Sequence, residues 1–299
     1  MRVIMLKRLL LILVLLPLVQ YHSLQAQEES LDSLLEKEAG DRTFDVSATF
    51  KSTRVISGHS IERMPAGEMD FRVSHRFDRL NKGFYEFFGM DESSSFFSLE
   101  MGLTDWVMVG IGRGTVKKFY NTFAKFSLLR QSEGSGAMPL SLSLMTACGM
   151  FTTRLKESDP RDKFSARLSY TYQLLLARKF SENLSLQLAP TLIHRNIVGE
   201  VNNNDLFALG IAGRYKLTSW VAVCFEYYPL LTENKETGAT FYSPLAIGFD
   251  IETGSHVFQI HFTNSISMVE QGFIGETTGD WSKGDIRLGF NISRVFTIY

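Results

Sequence analysis

The chain has 299 residues, a formal net charge of −1 and 44 % hydrophobic residues. The length allows one large or two ordinary domains, and the near-neutral balance offers no basic surplus for nucleic acid or anionic lipid. After the first twenty residues no apolar run approaches the roughly 20 that a spanning helix needs, so a helical membrane protein is excluded while a barrel is not.

The first 26 residues read as a targeting segment. Arg2, Lys7 and Arg8 precede the apolar run "LLLILVLLPLV" (9–19), and small residues follow near Ala26. A basic start, a short apolar stretch and a small-residue site predict a secretory signal peptide, 1–26, cleaved to leave Gln27 first. No Cys lies near the site, which excludes a lipoprotein anchor.

Residues 27–67 form a segment that is either periplasmic or lumenal. Leu31, Leu34 and Leu35 sit at helical spacing on an acidic background. In "FDVSATFK" the apolar Phe44, Val46, Ala48 and Phe50 alternate with polar residues, as a strand does. The stretch "STRVISGHSIERMPAGEMD" (52–70), with His59, Glu62 and Arg63, reads as a plug folded into a lumen, as a periplasmic hairpin, or as an extra strand at the seam.

From residue 68 to 299 alternation dominates. Twelve segments carry it, roughly 68–77, 96–103, 106–113, 118–129, 139–152, 163–178, 184–194, 205–217, 220–229, 243–252, 256–266 and 284–296. In "LSLSLM" Leu140, Leu142 and Leu144 alternate with Ser141 and Ser143. In "DIRLGFNIS" Ile286, Leu288, Phe290 and Ile292 alternate with Arg287, Gly289, Asn291 and Ser293. Their lengths exceed those of ordinary soluble strands and suit tilted membrane strands. Short connections alternate with long polar ones, as in outer-membrane barrels with periplasmic turns. "TVKK" (115–118) and "QSEGSGAM" (131–138) break that alternation.

One phrase occurs twice. "GLTDWVMVGIG" (102–112) and "KLTSWVAVCFE" (216–226) share Leu-Thr-x-Trp-Val-x-Val. Each reads as a two-residue turn followed by a strand with Trp106 or Trp220 at the membrane interface, where an apolar ring with a polar N–H is favoured. Strict parity with Val107 and Val109 would instead aim Trp106 at the lumen floor.

With the apolar parity facing lipid, the other face collects Asp70, Arg72, Arg76, Glu100, Lys125, Arg167, Gln187, Arg214, Glu226, Asp250, Gln259, His261, Arg287 and Asn291. Charges on that face must be solvated or paired. They either line a solute path or brace a closed barrel, and twelve strands lie between the filled and the open sizes. The mixed signs argue against strong ion selectivity.

Other chemistry is weak. Cys148 and Cys224 fall on opposite faces, so a disulfide is not expected, and no spacing suggests a metal site or a cofactor. "GIGRG" (110–114) lacks the following helix that gives phosphate loops their affinity, so its glycines make room inside a barrel. Lipid hydrolysis on the outer face would need His and Ser together there. His75 shares the apolar parity of Phe71 and Val73, but no Ser stands two residues away; His261 looks inward; His194 ends a strand.

The run "FKSTRVISGHSIERMPAGEMDFRVSHRFDRLNKGFYEFFGMD", with "GLTDWVMVGIGRG" and "KFYNTFAKFSLLRQ", resembles an uncharacterised family of bacterial outer-membrane β-barrels, a domain of unknown function. The resemblance is strongest over residues 49–131. It implies an outer-membrane barrel and carries no catalytic or binding residues. The last strand, "NISRVFTIY", ends in the aromatic Tyr299 that barrel-assembly machinery commonly reads in outer-membrane proteins. Arg294 interrupts its apolar parity, and a bulge near Ser293 would reconcile the two registers.

The sequence thus predicts an all-β, antiparallel, up-and-down transmembrane barrel of about twelve strands behind a cleaved signal peptide. Its expected partners are outer-membrane lipid, the assembly machinery, and small polar solutes or an unidentified periplasmic protein. A narrow pore or transport barrel is the leading function, a closed structural or docking barrel the alternative, and a lipid-modifying enzyme the third.

Overall fold

A computed structural model describes residues 43–156, 159, 162–198, 203–236, 239–254 and 256–298. The expected signal peptide, the acidic stretch around residues 31–35 and Tyr299 lie outside these residues. Twelve strands follow in chain order: β1 (Glu68–Arg79), β2 (Ser93–Gly102), β3 (Val107–Gly114), β4 (Tyr120–Leu129), β5 (Ser141–Met150), β6 (Leu168–Lys179), β7 (Leu184–Arg195), β8 (Asp205–Lys216), β9 (Val221–Tyr227), β10 (Leu245–Thr253), β11 (His256–Thr263) and β12 (Arg287–Thr297). Each pairs antiparallel with the next, and β12 returns to β1, with Thr297 opposite Glu68 and Arg287 opposite Arg79. The result is a closed up-and-down barrel, in which pairing leaves no edge strand to expose.

The alternation explains which residues face where. Along β5 the inward positions are Ser141, Ser143, Met145, Ala147 and Gly149, and the outward ones include Leu142 and Leu144. Along β10 Ala246, Gly248 and Asp250 are buried while Ile247 and Phe249 are exposed. Apolar side chains dominate the outside, and the inside is mostly polar and small with a buried apolar cluster that includes Met108, Phe123, Met145, Leu175, Ile193 and Leu206. Among the described residues no helix is long and apolar enough to cross a membrane.

The repeated phrase forms the same corner twice. The threonine hydroxyl accepts from the next two free N–H groups: Thr104 Oγ1 from Trp106 and Val107 at 3.3 and 3.1 Å, Thr218 Oγ1 from Trp220 and Val221 at 3.2 and 3.1 Å. Ser181 does the same for Asn183 and Leu184 between β6 and β7, without the surrounding sequence. The turn is longer than the two residues expected, since β2 stops at Gly102 and β3 starts at Val107.

Three further expectations are corrected. The alternation at 44–51 is not one strand: Thr43–Asp45 pairs with Ser132–Gly134 in a separate two-stranded ribbon, and residues 46–51 are irregular, with Ala48 at φ 54°. The register shift in β12 lies between Arg287 and Gly289, not near Ser293. Arg294 stays outward in regular register and lays its guanidinium over the Phe296 ring at 4.9 Å, so no bulge is needed to accommodate the charge. Finally, Arg167 belongs to a short 3-10 turn, Ser165–Arg167, ahead of β6 rather than to the wall.

Apart from the short connection 115–119 and the long one 130–140, one end of the barrel carries the tight turns and the other the long connections. The longest, between β11 and β12, holds a short helix, α1 (Glu270–Gly275), all six residues of which are buried.

Candidate functional site

The lumen is occupied by the chain itself. Thr53 to Ser60 fold back as a small hairpin: Val55 N donates to Gly58 O, Ser60 N donates to Thr53 O, and Arg54 pairs with His59. Residues 52–61 are buried, and Phe50, Val55, Ile56 and Ile61 join the apolar cluster inside the barrel. "STRVISGHSIER" is therefore a lumenal plug.

Two wall residues hold the plug by its backbone. The Glu226 carboxylate on β9 accepts from the N–H groups of Ile56, Ser57 and Gly58 at 3.3, 2.8 and 3.0 Å. The Lys125 ammonium on β4 donates to the carbonyls of Thr53, Ser60 and Glu62 at 3.3, 2.9 and 2.7 Å. Three buried donors meet one anion and three buried acceptors meet one cation, which satisfies backbone groups that no sheet partner reaches. Three wall amides add to this: Gln187 donates to His59 O, Gln259 to Val55 O and Asn291 to Ile56 O.

Side chains of the plug pair with the wall and with α1. Arg54 Nε lies 3.3 Å from Glu100 on β2, and its NH1 lies 2.7 Å from Glu270. Burial alone would lower the Arg54 pKa, but Glu270 and Glu100 outweigh it and raise the value. Glu270 itself is raised, because burial outweighs the attraction of Arg54. Arg72 donates to Ser52, Thr53 and Asp70. Arg76 donates to Ser57 Oγ at 2.9 Å, to Ser267 O at 2.6 Å and to His261 Nε2 at 3.2 Å. His59 sits edge-on to Phe123; neither ring nitrogen makes a hydrogen bond, and Nε2 lies 3.7 Å from Glu270. Burial, then Arg54, Lys125 and Arg72, push its pKa well below the ordinary value.

Of the residues picked out by parity, Asp70, Arg72, Arg76, Glu100, Lys125, Arg214, Glu226, Asp250, His261 and Arg287 are all buried. Asp70, Arg72, Arg76, Glu100, Lys125 and Glu226 converge on the plug or its immediate partners. Asp250 is held by Gln259 and Cys224, and Arg214 pairs with Glu252. Arg287 is anchored to Asp78 on β1. Arg167 is engaged with Asp162 and the carbonyl of Thr153 at the long-loop end. Trp106 and Trp220 are 56 % and 68 % exposed at the tight-turn end, which rules out burial in a lumen floor. The two cysteines are free.

Space inside is scarce. The cavity beside Arg54, Arg72 and Arg76 measures about 10 Å³, and that beside Ser57, Glu226 and Tyr228 is close to zero. A water needs roughly 10–15 Å³. Glycines admit the filling: a Cβ at Gly110 would come within 2.2 Å of the Phe123 ring and one at Gly112 within 2.3 Å of Phe96. At the long-loop end a pocket of about 240 Å³ is lined by Phe119, Phe151, Arg167, Ser267 and Gln271. Among the described residues no group of His, Cys, Asp or Glu could hold a metal ion.

Sequence reading missed α1 and Glu270, because a short buried helix inside a loop has no periodicity to detect. It also missed Ser95, whose Oγ lies 2.9 Å from His75 Nδ1. The two are partners in register across β1 and β2, a relation that appears only once strand pairing is known.

Residues 50–296 match the family model described as "Membrane bound beta barrel domain (DUF5777)", a span that includes the plug. No curated protein matches the chain. Among solved structures it is similar to the NanC porin (7 % identity, 77 % of this chain and 98 % of that one, TM-score 0.47). It is also similar to the KdgM porin (8 %, 77 % and 99 %, TM-score 0.46) and to LpxR from Salmonella typhimurium (11 %, 77 % and 100 %, TM-score 0.38).

Proposed function

The chain belongs to the membrane-bound β-barrel domain family, and from that premise we propose that it resides in the bacterial outer membrane as a plug-gated barrel for small polar solutes, shut in the conformation described. The tight turns, the start of β1 and the end of β12 then face the periplasm, and the long connections face outward. Outward-facing Ile, Leu and Phe contact lipid.

The observation that carries this reading is the way the plug is held. Its backbone is bound by a carboxylate, an ammonium and three amides of the wall, each of which water could replace. The filling comes from a separate segment, whereas a small barrel is filled by side chains of its own wall. Part of the wall behind the plug, at Lys125, Gln187, Glu226, Gln259 and Asn291, is polar and is exposed to water when residues 52–61 withdraw, while Met108, Phe123, Met145, Leu175, Ile193 and Leu206 line the rest.

Planar-bilayer recording tests it. Wild type gives rare, brief openings, and Glu226→Ala or Lys125→Met gives frequent ones. Variants that keep heat-modifiable migration, and so a folded barrel, yet stay silent would overturn the transport reading. That result would leave a closed structural barrel, the reading favoured by the tightness of the filling around Arg54 and Glu226.

A further inference from the structure

We propose that the outer face of β1–β3 carries an esterase site for lipid acyl esters, with Ser95 as nucleophile and His75 as general base. The proposal needs only a membrane barrel and its outward face, and is independent of plug gating. Ser95 Oγ and His75 Nδ1 are 2.9 Å apart, within the reach required of a nucleophile and its base. Both side chains alternate outward with Phe71, Val73 and Phe97, so they face lipid rather than the lumen. His75 lies four residues from the outer end of β1, about 10 Å below the rim for a tilted strand.

The imidazole is fixed by aromatic contacts. It stacks on Phe290 at 5.0 Å with 22° between planes and meets Phe77 edge-on at 4.9 Å. Nδ1 is turned to Ser95, and the proposed proton transfer uses the tautomer protonated at Nε2, in which Nδ1 accepts the hydroxyl proton. Thr115 Oγ1 accepts from the backbone N–H of Ser95 at 3.0 Å and keeps its own proton to donate beside the nucleophile, where an oxyanion would form. Arg113, outward and exposed two residues before Thr115, lies over Tyr120 at 5.5 Å and offers a cation to a phosphate-bearing headgroup.

The reaction balances with water alone. Ser95 Oγ bonds to the acyl carbon while its proton passes to His75 Nδ1. The bond from that carbon to the alcohol oxygen breaks, and the leaving oxygen takes the proton. Water then attacks acyl-Ser95, its proton returns through Nδ1 to Oγ, and free acid is released.

The test uses the full chain in mixed micelles containing dioleoyl phosphatidylglycerol, with a fluorophosphonate probe in parallel. Oleate release and probe attachment at Ser95 are expected. Ser95→Ala should abolish both, and His75→Asn should lower release by about a hundredfold or more. Ser93→Ala, on the same strand and face, should retain them. Thr115→Val should lower turnover while leaving the apparent KM unchanged. Heat-modifiable migration of every variant confirms a folded barrel. A folded wild type that releases no oleate and takes no probe would sink the proposal and reduce the pair to a cross-strand hydrogen bond. Undiminished release by Ser95→Ala would do the same.

Discussion

Single side chains decide whether the lumen is open or shut. Removal of the Glu226 carboxylate leaves three plug N–H groups without acceptors at a site with almost no room for water. Each such donor costs about 1–3 kcal/mol, so Glu226→Ala should weaken plug seating by about 3 kcal/mol once some water enters. Faster protease cleavage within residues 52–61 of reconstituted protein is the measurement. Gly58 makes a different demand. A Cβ there would lie 2.0 Å from Tyr228 Oη and 2.9 Å from its Cζ, and Tyr228 is itself pinned edge-on against Phe273. Gly58→Ala should therefore unseat the plug as strongly as loss of Glu226, and Tyr228→Phe should restore part of the loss by removing the nearer atom. A double-mutant cycle reads this coupling directly. Neither contact was visible in sequence. Parity placed Glu226 on the correct face, but parity is silent about what a side chain touches across a lumen.

At the scale of elements, corners and plug behave independently. The Thr104 and Thr218 corners each rest on one hydroxyl accepting two N–H groups, so Thr104→Ala and Thr218→Ala should each cost about 1 kcal/mol and should add in the double variant. Urea unfolding of the micelle-bound chain checks both values. The two corners were legible because turn chemistry is local and repeats its residues. Ser181 builds the same corner with no shared phrase, which shows that the hydroxyl matters more than the tryptophan. The plug was legible only as one of three options, since irregular backbone has no period. Its pH response follows from His59, which faces Arg54, Lys125 and Arg72 and lies 3.7 Å from Glu270. The pKa of the seated imidazole is depressed, whereas that of a released one is ordinary, near 6.5. Release therefore takes up a proton, and seating is strongest above about pH 6.5 and weakens as pH falls below it. Glu62 opposes this in part: burial raises its seated pKa, so its release gives up a proton at mildly acidic pH. His59→Phe should keep the ring against Phe123 and remove the acid-driven component. Opening probability recorded from pH 7.5 to 5.5 separates the two: a wild-type rise that persists in the variant would assign the effect elsewhere.

For the barrel as a whole, strand number and inward polarity were legible because closure in lipid imposes period-two alternation on every strand. The filling was not, because a twelve-strand lumen can be solid or hydrated with the same wall. The two states differ in one inserted segment, and that difference can be measured. The lumen around the plug carries four wall acids, Asp70, Glu100, Glu226 and Asp250, and four wall bases, Arg72, Arg76, Lys125 and Arg214, all buried, and Glu270 on α1 adds a fifth acid as the partner of Arg54. Loss of the plug transfers these groups from protein partners to water, which hydrates them, so the wall keeps its pairing and stays closed on itself. Its thermal stability falls because the buried apolar residues Phe50, Val55, Ile56 and Ile61 no longer fill the interior. A chain lacking residues 46–64 should therefore remain heat-modifiable, melt at lower temperature than wild type, and conduct steadily. Because the exposed acids and bases nearly balance, five to four, its reversal potential in a potassium chloride gradient should lie close to zero. Lys125→Glu in that background changes the balance by two charges inside the lumen and should shift the potential toward cation selectivity. A plugless barrel that stays folded and silent would mean that α1 and the surrounding loop close the mouth unaided.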